Sequence, residues 1–175
     1  MRPLVFNSTP LIYIMKIGLG RILEELDGVK LTSPSVKREV VDEGKRKGIA
    51  DAMALERLFQ RNVFKVVQAK NVDFLKILLQ TSGLHVTDAE VLVIAKECDG
   101  TAIIDDEIAR RAAKIYGIAY AGTPYILVRA FFEGLIAKEK VKQAIDDMIF
   151  AGWRCSVETY VEIMENLEKL GAGQG

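Results

Sequence analysis

Several residue types are scarce in this chain, and each scarcity excludes a class of protein. The 175 residues include two cysteines and a single histidine, His85. A zinc site built on Cys and His, or a Ser-His-Asp triad, therefore lacks material. Cys98 and Cys155 lie far apart and suggest no disulfide framework, which favours a reducing compartment. We expect His85 to close a turn before Thr87 and the cysteines to pack.

Neither sign of charge is in excess, and no long apolar run is present. Lys and Arg together number 24, as do Asp and Glu. No global basic field indicates a nucleic-acid binder, so any such contact must come from a local patch. No apolar stretch approaches the length of about 18 residues that a membrane-spanning helix needs, and the first residues enter a strand-like run without a long apolar h-region. We predict a cytoplasmic protein without membrane contact.

Short apolar runs alternate with segments of helical period, a pattern typical of a parallel sheet covered by helices on both faces. Pro10, Pro34 and Pro124 each follow a Ser or Thr just after an apolar run, as at helix N-termini. We predict one α/β domain over residues 1–170 and a disordered tail at 171–175. A loop is predicted at 44–48 and inserted helices at 49–60 and 72–80. The predicted strands are residues 4–6, 29–31, 64–67, 102–104 and 118–120.

A pair of acids, Asp105 and Asp106, follows the fourth predicted strand and opens the next helix. In open α/β sheets ligands bind at the carboxyl edge of the strands, where paired hard oxygen donors suit Mg²⁺ or Mn²⁺. One acid is enough to cap a helix. At least one of the two is therefore available for chemistry.

Two further acids are candidates for the same edge. Asp88 begins an apolar helix, although Thr87 and Glu90 around it also form a capping-box pattern that has a purely structural explanation. Glu39 lies at the margin of the apolar face of its helix and points either to the sheet edge or to solvent. Glu43, one turn later, is predicted to face solvent.

Asn7 ends the first predicted strand, where a metal site of this kind would be expected to have its first acid. Asparagine offers a carbonyl oxygen but no charge, so a site built on it holds a divalent cation less tightly than one built on aspartate. The alternative is structural, with Asn7 and Ser8 satisfying backbone groups in a turn before Thr9.

Taken in order, these segments resemble a PIN domain. The closest likeness is to the archaeal and bacterial VapC-like subgroup, which carries an Asp-Asp-x-x-Ala-Arg segment before the last strand. The likeness extends from Leu4 to about Gly134 and leaves the last part of the chain as helical additions. The segments that carry it are residues 5–12, 39–40, 88–95, 103–113, 117–118 and 122–123.

The resemblance implies a three-layer α/β/α fold with a central parallel sheet and an Mg²⁺- or Mn²⁺-dependent ribonuclease. It further implies a toxin held in check by a small antitoxin protein, and a homodimer. The acids would hold one or two cations that lower the pKa of a water and stabilise in-line attack on a phosphodiester. Supporting positions fall to Ser8 and Thr123. The family's four metal-binding and catalytic positions fall on Asn7, Glu39, Asp88 and either Asp105 or Asp106.

Contacts with RNA are predicted from local clusters of basic residues. Arg110, Arg111 and Lys114 lie on the helix after the acid pair, where they can meet phosphates. Arg110 has the alternative of pairing with Glu107 or Asp106 within its own helix. The basic run at 45–47 is interpreted as an exposed, solvated turn.

Three functional hypotheses remain. The first is the metal-dependent ribonuclease, and the second is a catalytically impaired PIN-like protein that acts by binding RNA or protein, because Asn7 replaces an acid. The third is another α/β class with a strand-end acid cluster, such as a phosphatase or a phosphoaccepting receiver. Asn7 denies the phosphatase its nucleophile, and the strands lack the acid and lysine of a receiver. Trp153 is expected to pack on the core or at a dimer interface.

Overall fold

The computed structural model describes residues 1–171, and within them a single five-stranded sheet forms the centre of the protein. All strand pairs are parallel, in the order β3-β2-β1-β4-β5. This confirms the predicted parallel sheet. The strands are β1 (Leu4–Phe6), β2 (Lys30–Thr32), β3 (Lys65–Val66), β4 (Thr101–Ile103) and β5 (Ala119–Ala121).

Helices cover both faces of the sheet. They are α1 (Ser8–Lys16), α2 (Gly20–Glu25), α3 (Pro34–Lys37), a π-helical segment (Arg38–Glu43), α4 (Gly44–Arg46), α5 (Ala50–Gln60), α6 (Val72–Leu79), α7 (Val86–Glu97), α8 (Glu107–Ile115), α9 (Thr123–Phe132), α10 (Lys138–Phe150) and α11 (Val157–Gly171). One group packs around α1, which contacts α5, α9 and α10, and the other packs around α7, which contacts α6 and α8. The predicted three-layer α/β/α architecture is therefore confirmed.

The core lies on both sides of the central strands. Leu4, Val5 and Phe6 of β1 are all buried, as expected for a strand that helices cover on both faces. Helix α7 is apolar around most of its circumference, and its residues from Val91 to Ala95 are buried because it packs on the sheet and between α6 and α8.

The connection order places the candidate acids together. From β1 the chain adds β2 and β3 on one side and then crosses to β4 on the other, so strand order reverses between β1 and β4. Phe6 pairs in register with Ile103, and the Asn7 backbone N–H donates to the Ile103 oxygen at 3.1 Å. Residues that follow β1 and β4 therefore meet at a topological switch point, where such sheets bind ligands.

Most predicted elements are found within a residue or two of their expected bounds, but the loop at 44–48 is wrong. The π-helical segment continues directly into α4, so Gly44, Lys45 and Arg46 are helical, and the chain leaves the helix at Lys47 and Gly48. Helix α11 includes Gly171, and the tail positions 172–175, for which disorder is predicted, lie outside the described residues. Across residues 1–171, no helix combines the length and the apolar character needed to cross a bilayer.

Candidate active site

A cavity of about 640 Å³ opens at the carboxyl edge of β1 and β4. Its walls come from the start of α1, the α3 and π-helical region, the first turn of α7 and the residue before α8. Four carboxylates and two basic side chains line it. The lining residues are Asn7, Ser8, Thr9, Ser35, Arg38, Glu39, Glu43, His85, Val86, Thr87, Asp88 and Asp106.

Asn7 uses both ends of its side-chain amide within the protein. It is the N-cap of α1, with extended backbone, and its Oδ1 accepts a hydrogen bond from the Ser8 backbone N–H at 2.8 Å. Its Nδ2 donates to Asp88 Oδ1 at 2.5 Å. The buried Asn7 side chain therefore caps one helix and holds the acid at the start of another.

Asp88 carries a negative charge that is poorly compensated. The residue is 3 % exposed in the first turn of α7. Burial and, after it, the negative charge of Asp106 raise the pKa of its carboxyl to about 6, against the lowering effects of His85 and the Asn7 amide. A cation bound between Asp88 and Asp106 would relieve both causes.

Glu39 is held at the cavity by a hydroxyl. Ser8 Oγ donates to Glu39 Oε2 at 2.7 Å, and Ser8 itself is buried at the start of α1. Glu39 lies in the π-helical segment, and single π turns inside helices are often found at functional sites. The sequence left the orientation of Glu39 open, and the structure places it at the sheet edge.

The two neighbouring acids after β4 have separate surroundings. Asp106 is the N-cap of α8, with its Oδ1 accepting from the Ala109 N–H at 2.9 Å, and it lines the cavity. Asp105 lies outside the cavity lining. Its Oδ1 accepts from the Thr123 N–H at 2.8 Å, and its Oδ2 accepts from Thr123 Oγ1 at 2.5 Å and from Trp153 Nε1 at 3.1 Å.

Arg110 completes the surroundings of Asp105. Its guanidinium lies 3.6 Å from Asp105 Oδ1, and its Nε donates to the Ile104 oxygen at 3.0 Å. A Cβ atom at Gly122 would lie 2.1 Å from the Arg110 guanidinium, so only glycine leaves room for this arrangement. Trp153 is buried as predicted and also ties the segment after α10 to the end of β4.

The basic residues predicted to meet RNA are not in the cavity lining. Arg110 is bound to Asp105, Arg111 lies 3.5 Å from Glu107 on the exposed face of α8, and Lys114 is exposed further along that helix. The basic residues that line the cavity are Arg38 and His85, for which the sequence predicted no place in the site. A signal was present: Arg38 precedes Glu39 directly, and His85 lies one helical turn before Asp88.

One local prediction near the cavity is wrong. Helix α7 begins at Val86 with His85 as its N-cap, so Thr87 and Glu90 do not form a capping box. Glu90 instead accepts from Ser35 Oγ at 2.9 Å, which links α7 to α3. Glu43, predicted to face solvent, has a side chain that is 42 % exposed, and it also lines the cavity because it lies one turn beyond Glu39.

The donors in the cavity fit a hard divalent cation in their chemistry but are not assembled around one. Glu39, Glu43, Asp88 and Asp106 supply only oxygen ligands, which Mg²⁺ and Mn²⁺ prefer. Among the residues that the structure describes, no three Asp, Glu, His or Cys side chains lie close enough together to hold a metal ion. Side-chain rotation would have to bring the carboxylates of the cavity together.

A family model described as a PIN domain matches residues 3–169. Because the match covers most of the chain, the protein belongs to the PIN-domain family, as its sequence predicted. PIN domains indicate a nuclease, usually one that uses divalent metal ions and acts on RNA. No curated protein matches the sequence.

Proposed function

We propose that this protein is an Mg²⁺- or Mn²⁺-dependent endoribonuclease of the VapC-like subgroup, with residues 1–170 forming a single domain. The observation that carries the proposal is the pairing of buried Asp88 with Asp106 in a cavity at the β1–β4 switch point. In this proposal Asp88, Asp106 and Glu39 hold the cation. When bound, it would lower the pKa of a water and offset the charge that develops on the phosphodiester.

The remaining residues position these acids. Asn7 holds Asp88 by its Nδ2, and Ser8 holds Glu39 by its hydroxyl. Thr123 fixes Asp105, which precedes the α8 N-cap, so the position of Asp106 depends on that contact. In this scheme Asp105 and Thr123 act as positioning residues, and Asn7 acts on Asp88 more than on the cation.

We also propose that the protein is the toxin of a toxin–antitoxin pair and forms a homodimer. The support is the resemblance of residues 105–110 to the Asp-Asp-x-x-Ala-Arg segment of the VapC-like subgroup. Induced expression in bacteria tests the first point. Growth arrest that the Asp88→Asn variant does not cause supports a toxin, and equal growth of both strains rejects it. Light scattering of the purified protein tests the dimer.

A second function is a PIN-domain protein that binds RNA or protein without cutting it. The observation in its favour is that both ends of the Asn7 amide are engaged within the protein, so Asn7 brings no charge to the acids and its oxygen already accepts from a backbone N–H. This candidate shares the fold and the cavity with the first one. Catalysis alone separates the two.

Cleavage of labelled single-stranded RNA in Mn²⁺, Mg²⁺ or EDTA tests the ribonuclease proposal. Wild type is compared with Asp88→Asn and with Asp73→Asn, which makes the same charge change at an exposed carboxylate on α6. Metal-dependent cutting that Asp88→Asn abolishes and Asp73→Asn retains supports the proposal. If wild type does not cut RNA in either metal, the ribonuclease proposal is rejected in favour of the second function, binding without cleavage.

A further inference from the structure

Within the described part of the chain, the arginine that lines the acidic cavity has no ion-pair partner. Arg38 lies at the start of the π-helical segment, is exposed, and lines the cavity beside Glu39. Among residues 1–169 no carboxylate comes within ion-pair distance of its guanidinium. Neighbouring cations are engaged elsewhere, since Lys37 lies over the Phe59 ring and Arg46 lies 4.0 Å from Glu43.

A second group of donors lies on another wall of the same cavity. His85 is exposed there as the N-cap of α7, and no side chain caps this helix start. Val86 and Thr87, in the first turn of α7, also line the cavity. The first-turn N–H groups of a helix favour anions, but the Asp88 carboxylate in the same turn offsets part of their potential, so Arg38 supplies the main positive charge of the cavity.

A polyanionic substrate needs such groups because the cavity itself is acidic. Four carboxylates line it, and they repel the phosphates of a nucleic-acid strand. Arginine binds phosphate through two parallel N–H donors and remains charged at any working pH. A guanidinium that is unpaired and adjacent to the acids is therefore suited to hold a phosphate next to the position where the acids act.

We propose that Arg38, assisted by His85, binds the backbone phosphates of the RNA strand that enters this cavity. The inference rests on the proposed function, because it takes RNA as the substrate, and it deepens that function by naming the residue that positions the strand. It also moves the RNA contact from the α8 cations to the π-helical segment. Arg38 touches substrate in this scheme and has no part in holding the cation.

Binding of labelled single-stranded RNA in EDTA, followed by anisotropy over a range of salt, tests the assignment without requiring catalysis. We expect Arg38→Gln to weaken binding roughly tenfold and to reduce the slope of log K against log salt by about 0.7, the value for one phosphate contact on a single strand. His85→Ala should weaken binding about threefold, as for loss of one hydrogen-bond donor. Arg111→Gln, the matched control on α8, should leave affinity near the wild-type value.

Arg38→Lys adds a second criterion. It keeps the charge but loses the paired donors, so its affinity should fall between those of Arg38→Gln and wild type. Because Arg38 is exposed, these variants should retain the wild-type melting temperature. In a cleavage assay Arg38→Gln should raise KM more than it lowers kcat, whereas loss of a metal ligand would lower kcat.

The outcomes separate this inference from the function on which it rests. If wild type cuts RNA and Arg38→Gln binds RNA with wild-type affinity, the Arg38 assignment is overturned and the ribonuclease proposal is retained. No cutting by wild type, with Arg38-dependent binding, would reject the ribonuclease and support the assignment. An effect of Arg111→Gln as large as that of Arg38→Gln, or no RNA binding by wild type, would overturn the assignment.

Discussion

Asp105 and Asp106 are neighbours in sequence, but the groups around them are of opposite kinds. Asp105 accepts hydrogen bonds from Thr123 twice and from Trp153, and it lies near the Arg110 guanidinium. Asp106 accepts one backbone hydrogen bond and lies in a cavity with a like-charged partner, Asp88. A carboxylate supplied with donors contributes to stability, and one whose charge is left uncompensated is ready to meet a cation.

The comparison predicts its largest effect in catalysis. Asp106→Asn keeps the cap of α8, because asparagine caps a helix about as well as aspartate, but removes a charge from the cavity. We expect RNA cleavage in Mn²⁺ to fall on the order of 100-fold while stability stays near that of wild type. Single-turnover kinetics and a urea melt measure the two quantities. Wild-type cleavage by this variant would show that Asp106 is not one of the site's acids.

For stability we expect the reverse order, with the Asp105 carboxylate contributing more than the Asp106 carboxylate. Asp105→Ala leaves the buried Trp153 N–H and the Thr123 donors without their acceptor, so we expect a loss of about 2–4 kcal/mol in the free energy of unfolding. Asp106→Ala removes one helix cap and should cost about 1 kcal/mol. Urea denaturation of the two variants compares them directly. Equal losses would mean that the contacts of Asp105 contribute little.

The raised pKa of Asp88 predicts how stability depends on pH. Between the ordinary value near 3.8 and about 6, the folded state binds more protons at Asp88 than the unfolded state does, so stability decreases as pH rises through this window. Below pH 4 the contribution is fully present. In EDTA we expect the free energy of unfolding to fall by roughly 2 kcal/mol from pH 4 to pH 7, after an allowance for solvent screening.

Asp88→Asn isolates this contribution, since the variant has no proton to exchange at that site and its amide oxygen can still accept from Asn7. The difference in unfolding free energy between wild type and variant, measured from pH 4 to pH 7, should change by that amount. A constant difference would contradict the charge imbalance between Asp88 and Asp106.

Asn7→Asp tests the charge balance around Asp88 in the cavity. The change adds a carboxylate to the four that line the cavity and removes the Asn7 Nδ2 donor, which lies 2.5 Å from Asp88 Oδ1. We expect the metal-free protein to lose about 1–2 kcal/mol at pH 8 and to bind Mn²⁺ more tightly, because affinity for hard cations grows with ligand charge. Calorimetry measures the change in Mn²⁺ affinity, and thermal unfolding in EDTA measures the change in stability of the metal-free protein. Weaker Mn²⁺ binding would exclude position 7 from the metal site.

We expect the smallest effect from removing one of the hydrogen-bond donors to Asp105. Trp153→Phe keeps most of the packing but removes one of the three donors to Asp105, with a cost of about 1 kcal/mol in unfolding free energy. Cleavage should change little, because Thr123 still holds Asp105. A chemical melt and the cleavage assay test both statements, and a large loss of cleavage would make Trp153 part of the site.

Local sequence patterns were enough for the sheet and for the edge at which the candidate acids gather, but not for the surroundings of each acid. The strand ends identify the edge at which Asn7, Asp88 and Asp106 meet, because parallel strands share one carboxyl edge. The choice between Asp105 and Asp106 depends on Thr123 and Trp153, which are distant in sequence and reach Asp105 only after α9 and α10 have packed. No local pattern contains that information.

The remaining differences have similar causes. Thr87 and Glu90 fit a capping box, but α7 starts earlier and Ser35 on α3 takes the Glu90 carboxylate. Arg110 and Arg111 cluster in sequence, yet Asp105 and Glu107 engage them, which leaves Arg38 in the cavity. In each case a contact across the fold decides between local alternatives that are equally plausible.

The hydrogen bond between Trp153 and Asp105 also provides a spectroscopic probe. Trp153 is the only tryptophan in the chain, so its emission comes from one position at the end of β4, beside the residue that caps α8. Indole emission responds to the polarity and charge around the ring nitrogen. We therefore expect occupation of the neighbouring cavity to change the intrinsic fluorescence of the protein, which requires no label.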